Sequence, residues 1–264
     1  MTGSAVLRAG GVSVSFGGVQ ALAGVDLEVG QGRLVGLIGP NGAGKTTFID
    51  AISGFVRCRG RVELDGHDLS AAPPHVRARR GLARTWQSVE LFDDLTVREN
   101  LAVATGHGRL WAAIRRRRPA EGGTGAIPAA ATPAIDDALE LLGLTADADR
   151  LATDLPQGKR KLVGVARALA ARPRLLCLDE PAAGLDVTES ADLGRHLRAV
   201  VDAGTATLLV DHDMGLVLSV CDHVVVLNFG QVIAQGPPDV VRGDPEVVAA
   251  YLGSAAAEVV EGTP

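Results

Sequence analysis

The chain has 264 residues, of which 47% are hydrophobic, and its formal net charge is −5 at pH 7. Such a chain can bury the core of one large domain, or of one domain with an added lobe. The negative charge gives no reason to expect a nucleic-acid partner, and the apolar runs are far shorter than the roughly 20 residues that cross a bilayer. No apolar run follows a basic N-terminus, and the three cysteines are scattered. We therefore expect no signal peptide and a soluble, cytoplasmic protein with reduced thiols.

Strand patterns open the chain. Residues 12–16 and 25–29 alternate apolar and polar side chains, and Gly17-Gly18 stands between them as a turn signal. Residues 34–38 are a continuous apolar run, which predicts a strand buried on both faces.

The next elements alternate between helix and strand. A glycine-rich loop at 39–44 leads into a predicted helix at 45–53, which Gly54 would end. Residues 175–178 and 207–210 indicate two further buried strands, with a helical stretch at 192–201 between them. This alternation predicts an α/β fold with a mainly parallel sheet.

The middle third of the chain has a different composition. Residues 119–133 contain three prolines, three glycines and five alanines without periodicity, which predicts a linker or mobile loop. The run of four arginines at 115–118 is interpreted as a solvated basic face, with a lipid-headgroup or docking contact as the alternative. A short amphipathic helix ending at Gly143 is then predicted from the i, i+3, i+4, i+7 spacing of Ile135, Ala138, Leu139 and Leu142.

The first chemical motif is the stretch 39–46, Gly-Pro-Asn-Gly-Ala-Gly-Lys-Thr, which matches G-x-x-x-x-G-K-[ST]. The glycines let successive backbone N–H groups turn inward toward phosphate oxygens. A helix that starts at Lys45 adds the positive end of its dipole. The Lys45 ammonium can reach the β- and γ-phosphates, and the Thr46 hydroxyl can bind Mg²⁺. The motif predicts a nucleoside triphosphate site.

Two carboxylates complete the predicted chemistry. Asp179 and Glu180 follow the apolar residues 175–178, at the carboxyl end of a predicted parallel strand, where ligands bind in such sheets. Asp179 would hold Mg²⁺, directly or through water, and Glu180 would orient or deprotonate the attacking water.

The order of motifs resembles the nucleotide-binding subunits of ABC transporters over nearly the whole chain, from about Leu7 to Leu252. The segments that carry the resemblance are the loop 39–46, then 85–87 (Thr-Trp-Gln), 155–159 (Leu-Pro-Gln-Gly-Lys), 178–181 (Leu-Asp-Glu-Pro), 183–186 (Ala-Gly-Leu-Asp) and 211–213 (Asp-His-Asp). DNA-repair and translation ATPases of the same superfamily fit less well, because a long coiled coil and a second nucleotide-binding domain are both missing from this sequence.

The resemblance implies a role for each matching residue. Phe16 would stack on adenine, Gln87 would touch Mg²⁺ or the water, and His212 would reach the γ-phosphate. Asp186 would lie at the seam of a head-to-tail dimer, in which each ATP is closed between one phosphate loop and the partner's signature sequence. The implied nucleotide-binding residues are Phe16, Gly39, Pro40, Asn41, Gly42, Ala43, Gly44, Lys45, Thr46, Thr47, Gln157, Gly158, Lys159 and Asp186. The implied catalytic residues are Glu180, His212, Gln87 and Lys45, and the implied metal ligands are Thr46, Gln87 and Asp179.

The resemblance also implies a domain plan. The fold would be a P-loop NTPase (RecA-like) core with a mainly parallel sheet, an N-terminal antiparallel β subdomain and an inserted helical subdomain. The predicted boundaries are one ABC ATPase domain at 1–252, with its core at about 6–87 and 163–252, the helical subdomain at about 88–162, a flexible insertion at about 106–134, and a disordered tail at 253–264.

Further stretches are similar to the ATP-binding subunit of branched-chain amino acid importers. They are 16–18, 84–92, 96–101, 180–185, 212–214 and 244–253. This similarity implies ATP and Mg²⁺ as cofactors, and transport of branched-chain or other hydrophobic amino acids. It also implies a second ATPase, identical or different, two permease subunits and an external solute-binding protein as partners at the cytoplasmic face of the cell membrane. Urea or amide import, and a regulatory subunit that hydrolyses ATP weakly, remain as alternatives.

The predicted signature departs from the family's common LSGGQ. Pro156 stands for Ser, Gln157 for Gly and Lys159 for Gln, while Gly158 matches. The serine hydroxyl that would bond the partner's γ-phosphate is therefore absent. Lys159 either points at the nucleotide and compensates, or points to solvent and leaves this half-site weak.

Overall fold

The computed structural model describes residues 5–87, 90–105, 127 and 129–252. The strands are β1 Ala5–Phe16, β2 Val19–Gly30, β3 Leu34–Ile38, β4 Arg59–Leu64, β5 His67–Asp68, β6 Leu82–Arg84, β7 Leu175–Asp179, β8 Ala206–Val210, β9 His223–Asn228 and β10 Gln231–Gly236. The helices are α1 Lys45–Ser53, α2 Pro74–Arg79, α3 Val97–Ala104, α4 Thr132–Leu141, α5 Gln157–Ala170, α6 Val187–Asp202, α7 Met214–Val220, α8 Pro238–Arg242 and α9 at 245–252. Among these helices, none is long and apolar enough to cross a membrane.

Two sheets organise the described strands. The first is antiparallel, in the order β2-β1-β4-β5. The second has the order β10-β9-β3-β8-β7-β6, and only its β9–β10 pair is antiparallel. This arrangement confirms the predicted α/β fold with a mainly parallel sheet and an antiparallel β portion at the N-terminus.

The first two strands form one long hairpin, longer than the two predicted segments. The turn at Gly17 and Gly18 has φ values of 52° and 90°, which a two-residue type I′ turn requires and glycine adopts easily. Register shifts interrupt the pairing, for example between Ala9 and Val12. Such bulges break the period-two pattern, and the sequence therefore indicated only part of each strand.

The mixed sheet is buried on both faces, as the apolar runs predicted. On β7, Leu176 and Leu178 face the core shared with α3 to α7, whereas Leu175 and Cys177 face the core shared with the antiparallel sheet and α1. All of β3, β7 and β8 is buried. Because side chains alternate between the faces, an uninterrupted apolar sequence supplies two cores at once and fixes the sheet's position between them.

The predicted insertion at about 106–134 lies largely outside the described residues, and its last three positions belong to a helix. Residues 132–134 form the first turn of α4, with Pro133 near its start, where proline is tolerated. Ala131 is 2% exposed and packs in the core that the mixed sheet shares with α3 to α7, and Ile127 packs against the same core. The arginine run at 115–118 and the tail at 253–264 fall outside the described residues.

Burial predicts the chemistry of the three thiols. Cys177 lies in the fully buried β7, where desolvation raises its pKa to about 12, and the pKa of the buried Cys221 is also raised. Few thiolates form at neutral pH, so native alkylation by iodoacetamide should spare both residues and modify only the half-buried Cys58, slowly. Mass spectrometry before and after denaturation in urea measures this. Rapid native labelling of Cys177 would contradict the buried position of β7.

Candidate active site

The loop at 39–44 joins β3 to α1 and is confined by backbone on two sides. A Cβ at Gly39, whose φ is 151°, would lie 2.1 Å from the carbonyl oxygen of Leu227. A Cβ at Gly44, whose φ is 105°, would lie 2.8 Å from the carbonyl oxygen of Ala21. Glycine is required at both positions. The confined loop ends at the N-terminus of α1, where unpaired amides and the helix dipole favour an anion.

The side chain of Lys45 turns back across this loop. Its Nζ donates hydrogen bonds to the carbonyl oxygens of Gly39, at 2.7 Å, and Pro40, at 3.0 Å. Lys45 is only 6% exposed, and this burial lowers its pKa, while the charges of nearby carboxylates oppose the shift. The result is a buried ammonium held at the centre of an anion-binding loop.

Asp179 and Glu180 lie where β7 ends, next to this ammonium. Asp179 is 5% exposed. Glu180 has a φ of 47°, a left-handed conformation that costs a non-glycine residue about 1–3 kcal/mol. Its N–H donates a 2.7 Å hydrogen bond to the carbonyl oxygen of Val210 on β8. The neighbouring strand thus holds the strained residue, and such strain is concentrated at functional sites.

Two residues from distant parts of the sequence converge on Glu180. Gln87 donates from Nε2 to Glu180 Oε2 at 2.7 Å, and His212 Nδ1 lies 3.6 Å from the same oxygen. The structure therefore brings together Gln87, Glu180 and His212, which the sequence motifs had named separately. A carboxylate with these neighbours can orient a water molecule and accept its proton.

Asp211 is a buried acid at the site to which the sequence motifs assigned no role of its own. It is fully buried, and its carboxylate accepts hydrogen bonds from the N–H groups of Ala182, His212 and Asp213. Those three hydrogen bonds hold two turns together, the one that contains His212 and the one that follows Glu180. The available signal was an acid directly after the apolar run of β8, as Asp179 directly follows the apolar run 175–178 of β7.

The oxygen atoms present near the loop fit a magnesium ion. Thr46 is exposed at the start of α1, and Asp179 offers a carboxylate. Gln87 donates to Glu180 from Nε2, so its side-chain carbonyl oxygen can face a metal ion. No cluster of three or more His, Cys, Asp or Glu that could hold a metal occurs within the described ranges. Mg²⁺ is typically bound by one or two carboxylates together with substrate phosphates, so this donor set suits it.

The predicted signature residues lie at the start of α5 and contact the start of α6 and the segment before it, not the cluster around Glu180. Gln157 lies at the exposed N-terminus of α5 beside Gly184, and Gly158 lies against the side chain of Glu189. Asp186 is exposed and caps α6 through a reciprocal capping box with Glu189. The signature and the segment before α6 thus form one exposed surface.

Lys159 pairs with a carboxylate of its own chain, while its side chain stays 45% exposed. Its Nζ donates to Asp147 Oδ2 at 2.5 Å, and Arg150 Nη1 donates to Oδ1 of the same carboxylate at 2.8 Å. Asp147 is only 4% exposed, and a buried carboxylate without a cation is strongly destabilising. In this structure the Lys159 ammonium is therefore paired within the helical part of the chain.

Phe16 ends β1 and is 52% exposed, beside the hairpin turn. An exposed ring at this position can stack on a base. The second strand of the same hairpin, β2, lies against the phosphate loop, because Gly44 of the loop packs against Ala21 of β2. The hairpin that carries Phe16 is therefore in contact with the phosphate loop.

The family comparisons agree with this geometry. The ABC transporter model matches residues 22–183, and a model for the branched-chain amino acid ATP-binding cassette transporter matches residues 231–257. The chain is 40% identical, over 258 residues, to the high-affinity branched-chain amino acid transport ATP-binding protein BraF of Pseudomonas aeruginosa, covering 95% of this chain and 98% of that protein. It is 38% identical, over 260 residues, to LivG of Escherichia coli, with 95% and 98% covered.

Solved structures give the same assignment. An ATP-binding cassette of an ABC transporter in its ADP conformation superposes with a TM-score of 0.79 at 31% identity, covering 95% of this chain and 99% of that one. A nucleotide-free cassette gives 0.79 at 32% identity, covering 94% and 99%. The fold and the site thus define an ATP-binding cassette ATPase. The chain belongs to the ABC transporter family, and it is similar to the ATP-binding proteins of branched-chain amino acid transport.

The Asp147 cluster yields a pH-dependent stability prediction. The hydrogen bond from Lys159 is the largest cause that lowers the pKa of Asp147. A lowered carboxyl pKa stabilises the fold above the unfolded-state value of about 3.9, and this contribution is lost as pH falls through the folded-state pKa. Asp147→Asn should lower the free energy of unfolding by about 1–2 kcal/mol near neutral pH, since both cations are half exposed. The difference from wild type should close below about pH 4.

Urea unfolding across the acid range measures this difference, and Asp149→Asn, an exposed acid of the same segment, is the matched control. A difference that stays constant through the acid range would show that Asp147 acts by packing and not by charge.

Proposed function

We propose that this chain powers an importer of branched-chain or other hydrophobic amino acids, by binding ATP and hydrolysing it with water. The observation that carries the proposal is the convergence of Lys45, Asp179, Gln87 and His212 around Glu180. The similarity to BraF and LivG supports the solute class, since both are named for branched-chain amino acid transport.

In the proposed mechanism the loop amides and Lys45 bind the β- and γ-phosphates. Thr46, Asp179 and Gln87 hold Mg²⁺, which when bound neutralises charge on the phosphoryl group being transferred. Glu180 takes a proton from the attacking water, and its strained backbone keeps the carboxylate in place. His212, beside the same carboxylate, contacts the γ-phosphate.

The remaining predicted residues act through a dimer in this proposal. Phe16 stacks on adenine, while Gln157, Gly158 and Asp186 present the exposed surface that closes over the nucleotide of a second ATPase. Two permease subunits and an external solute-binding protein complete the importer, which places this chain at the cytoplasmic face of the membrane.

One observation favours a companion ATPase that differs from this chain. Position 156 is proline, which offers no hydroxyl, and the nearby Lys159 ammonium is bound to Asp147. This half of the seam therefore offers the γ-phosphate fewer donors than the common signature does. A heterodimer, in which the partner supplies the stronger signature, fits this arrangement better than a homodimer.

Glu180→Gln tests the proposed base. The amide preserves shape and cannot take the proton, so turnover should fall by about 10²–10⁴-fold while the affinity for ATP is kept. Phosphate release measures hydrolysis, and titration with a fluorescent ATP analogue measures binding. Glu246→Gln, at an exposed acid in the first turn of α9, serves as the control. Half of the wild-type turnover in Glu180→Gln would remove Glu180 from this role.

Uptake by intact cells tests the solute. Removing the gene should reduce uptake of radiolabelled leucine, isoleucine or valine, and wild-type copies should restore it. A Lys45→Ala copy should not, since the loop then lacks its cation. Unchanged uptake of all three amino acids together with reduced uptake of urea would contradict the proposed solute and support the amide-importer alternative.

A further inference from the structure

Arg84 is a buried cation that none of the sequence motifs assigns to the site. It is the last residue of β6, and the parallel register pairs it with Cys177, two residues before Asp179. Its guanidinium bridges two acids: Nη2 donates to Asp179 Oδ2 at 2.8 Å, and Nη1 pairs with Asp50. The side chains of Arg84 and Asp179 are 5% and 7% exposed. The pair is therefore shielded from the solvent that weakens surface ion pairs.

An aromatic wall fixes the plane of this guanidinium. Its central carbon lies 4.2 Å from the centroid of the Trp86 ring and 5.9 Å from that of Phe55, and the two rings meet edge to face at 5.2 Å. Stacked arginines of this kind are held by cation–π attraction. Nε of Arg84 is buried without a hydrogen-bond partner among the described residues. The guanidinium is therefore oriented so that its two terminal nitrogens reach the two carboxylates, although Nε then makes no hydrogen bond.

The two acids that Arg84 bridges lie on two different elements of the proposed ATP site. Asp50 lies on α1, the helix that opens with Lys45 and Thr46, and Asp179 ends β7. One rigid fork thus ties the phosphate-loop helix to the strand that carries the metal-binding carboxylate. The fork donates to Oδ2 of Asp179 and not to Oδ1. That oxygen remains for the ion or for its water.

We propose that Arg84 is a positioning residue for the Mg²⁺·ATP complex. It fixes the rotamer of Asp179 and the spacing between Asp179 and α1, so that the metal ligands are preorganised before nucleotide binds. The inference rests on the proposed function, since it concerns the metal site of the same ATPase. Lysine is not an equivalent replacement for Arg84, because its ammonium is one compact donor group, whereas the guanidinium places a separate nitrogen on each of the two carboxylates.

The test compares nucleotide affinity with and without the metal. Dissociation constants for a fluorescent ATP analogue are measured in Mg²⁺ and in EDTA, for the wild type, Arg84→Lys and Arg84→Met. Both variants should lose roughly tenfold or more affinity in Mg²⁺, as expected for a lost charge-assisted contact, and change little in EDTA. The Mg²⁺ concentration for half-maximal binding should rise by a similar factor.

Arg77→Met is the matched control. Arg77 is 2% exposed and donates to the carbonyl oxygens of Ala51 and Ile52 at the end of α1, but it makes no contact with Asp179. A purely structural loss should lower stability and shift both dissociation constants together. Melting temperatures identify such a loss, and Arg84→Lys carries the test if Arg84→Met does not fold.

An equal loss of affinity in Mg²⁺ and in EDTA, or no loss at all, would overturn the role of Arg84. The result is separable from the proposed function. If the wild type binds Mg²⁺·ATP and Glu180→Gln stops turnover, the ATPase assignment stands whatever the Arg84 variants do. If the wild type itself shows no Mg²⁺-dependent binding, both proposals fail.

Discussion

The structure depends on charges that are buried together at the carboxyl edge of the mixed sheet. Lys45 and Asp179 are almost excluded from solvent there, and Asp211 is completely excluded. Isolated, each would cost several kcal/mol, so each needs a partner of fixed geometry. Carbonyl groups of the phosphate loop bind the ammonium, and three backbone amides bind Asp211. The loops of the site therefore have the shapes that satisfy these charges.

This constraint explains why the site has its final shape before a ligand binds. The loop at 39–44, the turn after Glu180 and the turn at 211–213 are held by backbone hydrogen bonds and by contacts with neighbouring strands. An anion or a metal ion then meets donors that are already oriented. Preorganisation of this kind reduces the reorganisation that binding and chemistry would otherwise require.

Local patterns were sufficient for the elements that end at the site. The apolar runs predicted β3, β7 and β8, and the loop motif with Gly54 located α1. The motifs also named Gln87, Glu180 and His212, whose convergence the fold then produced. Short-range spacing carries such information because strand burial and helix capping are decided within a few residues.

Contacts between distant residues could not be predicted in the same way. The bridge from Arg84 to Asp179 depends on the register of β6 beside β7, and the bond from Lys159 to Asp147 depends on how two turns precede α5. The start of α4 was missed because proline and alanine suit both a loop and a first helical turn. Composition alone does not separate these outcomes, whereas the burial of Ala131 does.

The left-handed backbone of Glu180 has an evolutionary consequence. Glycine adopts this conformation without strain, so a mutation to glycine would relieve the backbone while it removed the carboxylate. Mutational drift under selection for stability alone would favour that loss. A glutamate at this position therefore runs against the local backbone preference, as do Asp65, Arg172 and Phe229 elsewhere in the chain. At position 180 the residue that glycine would replace is the proposed base, so a gain in stability there would end hydrolysis.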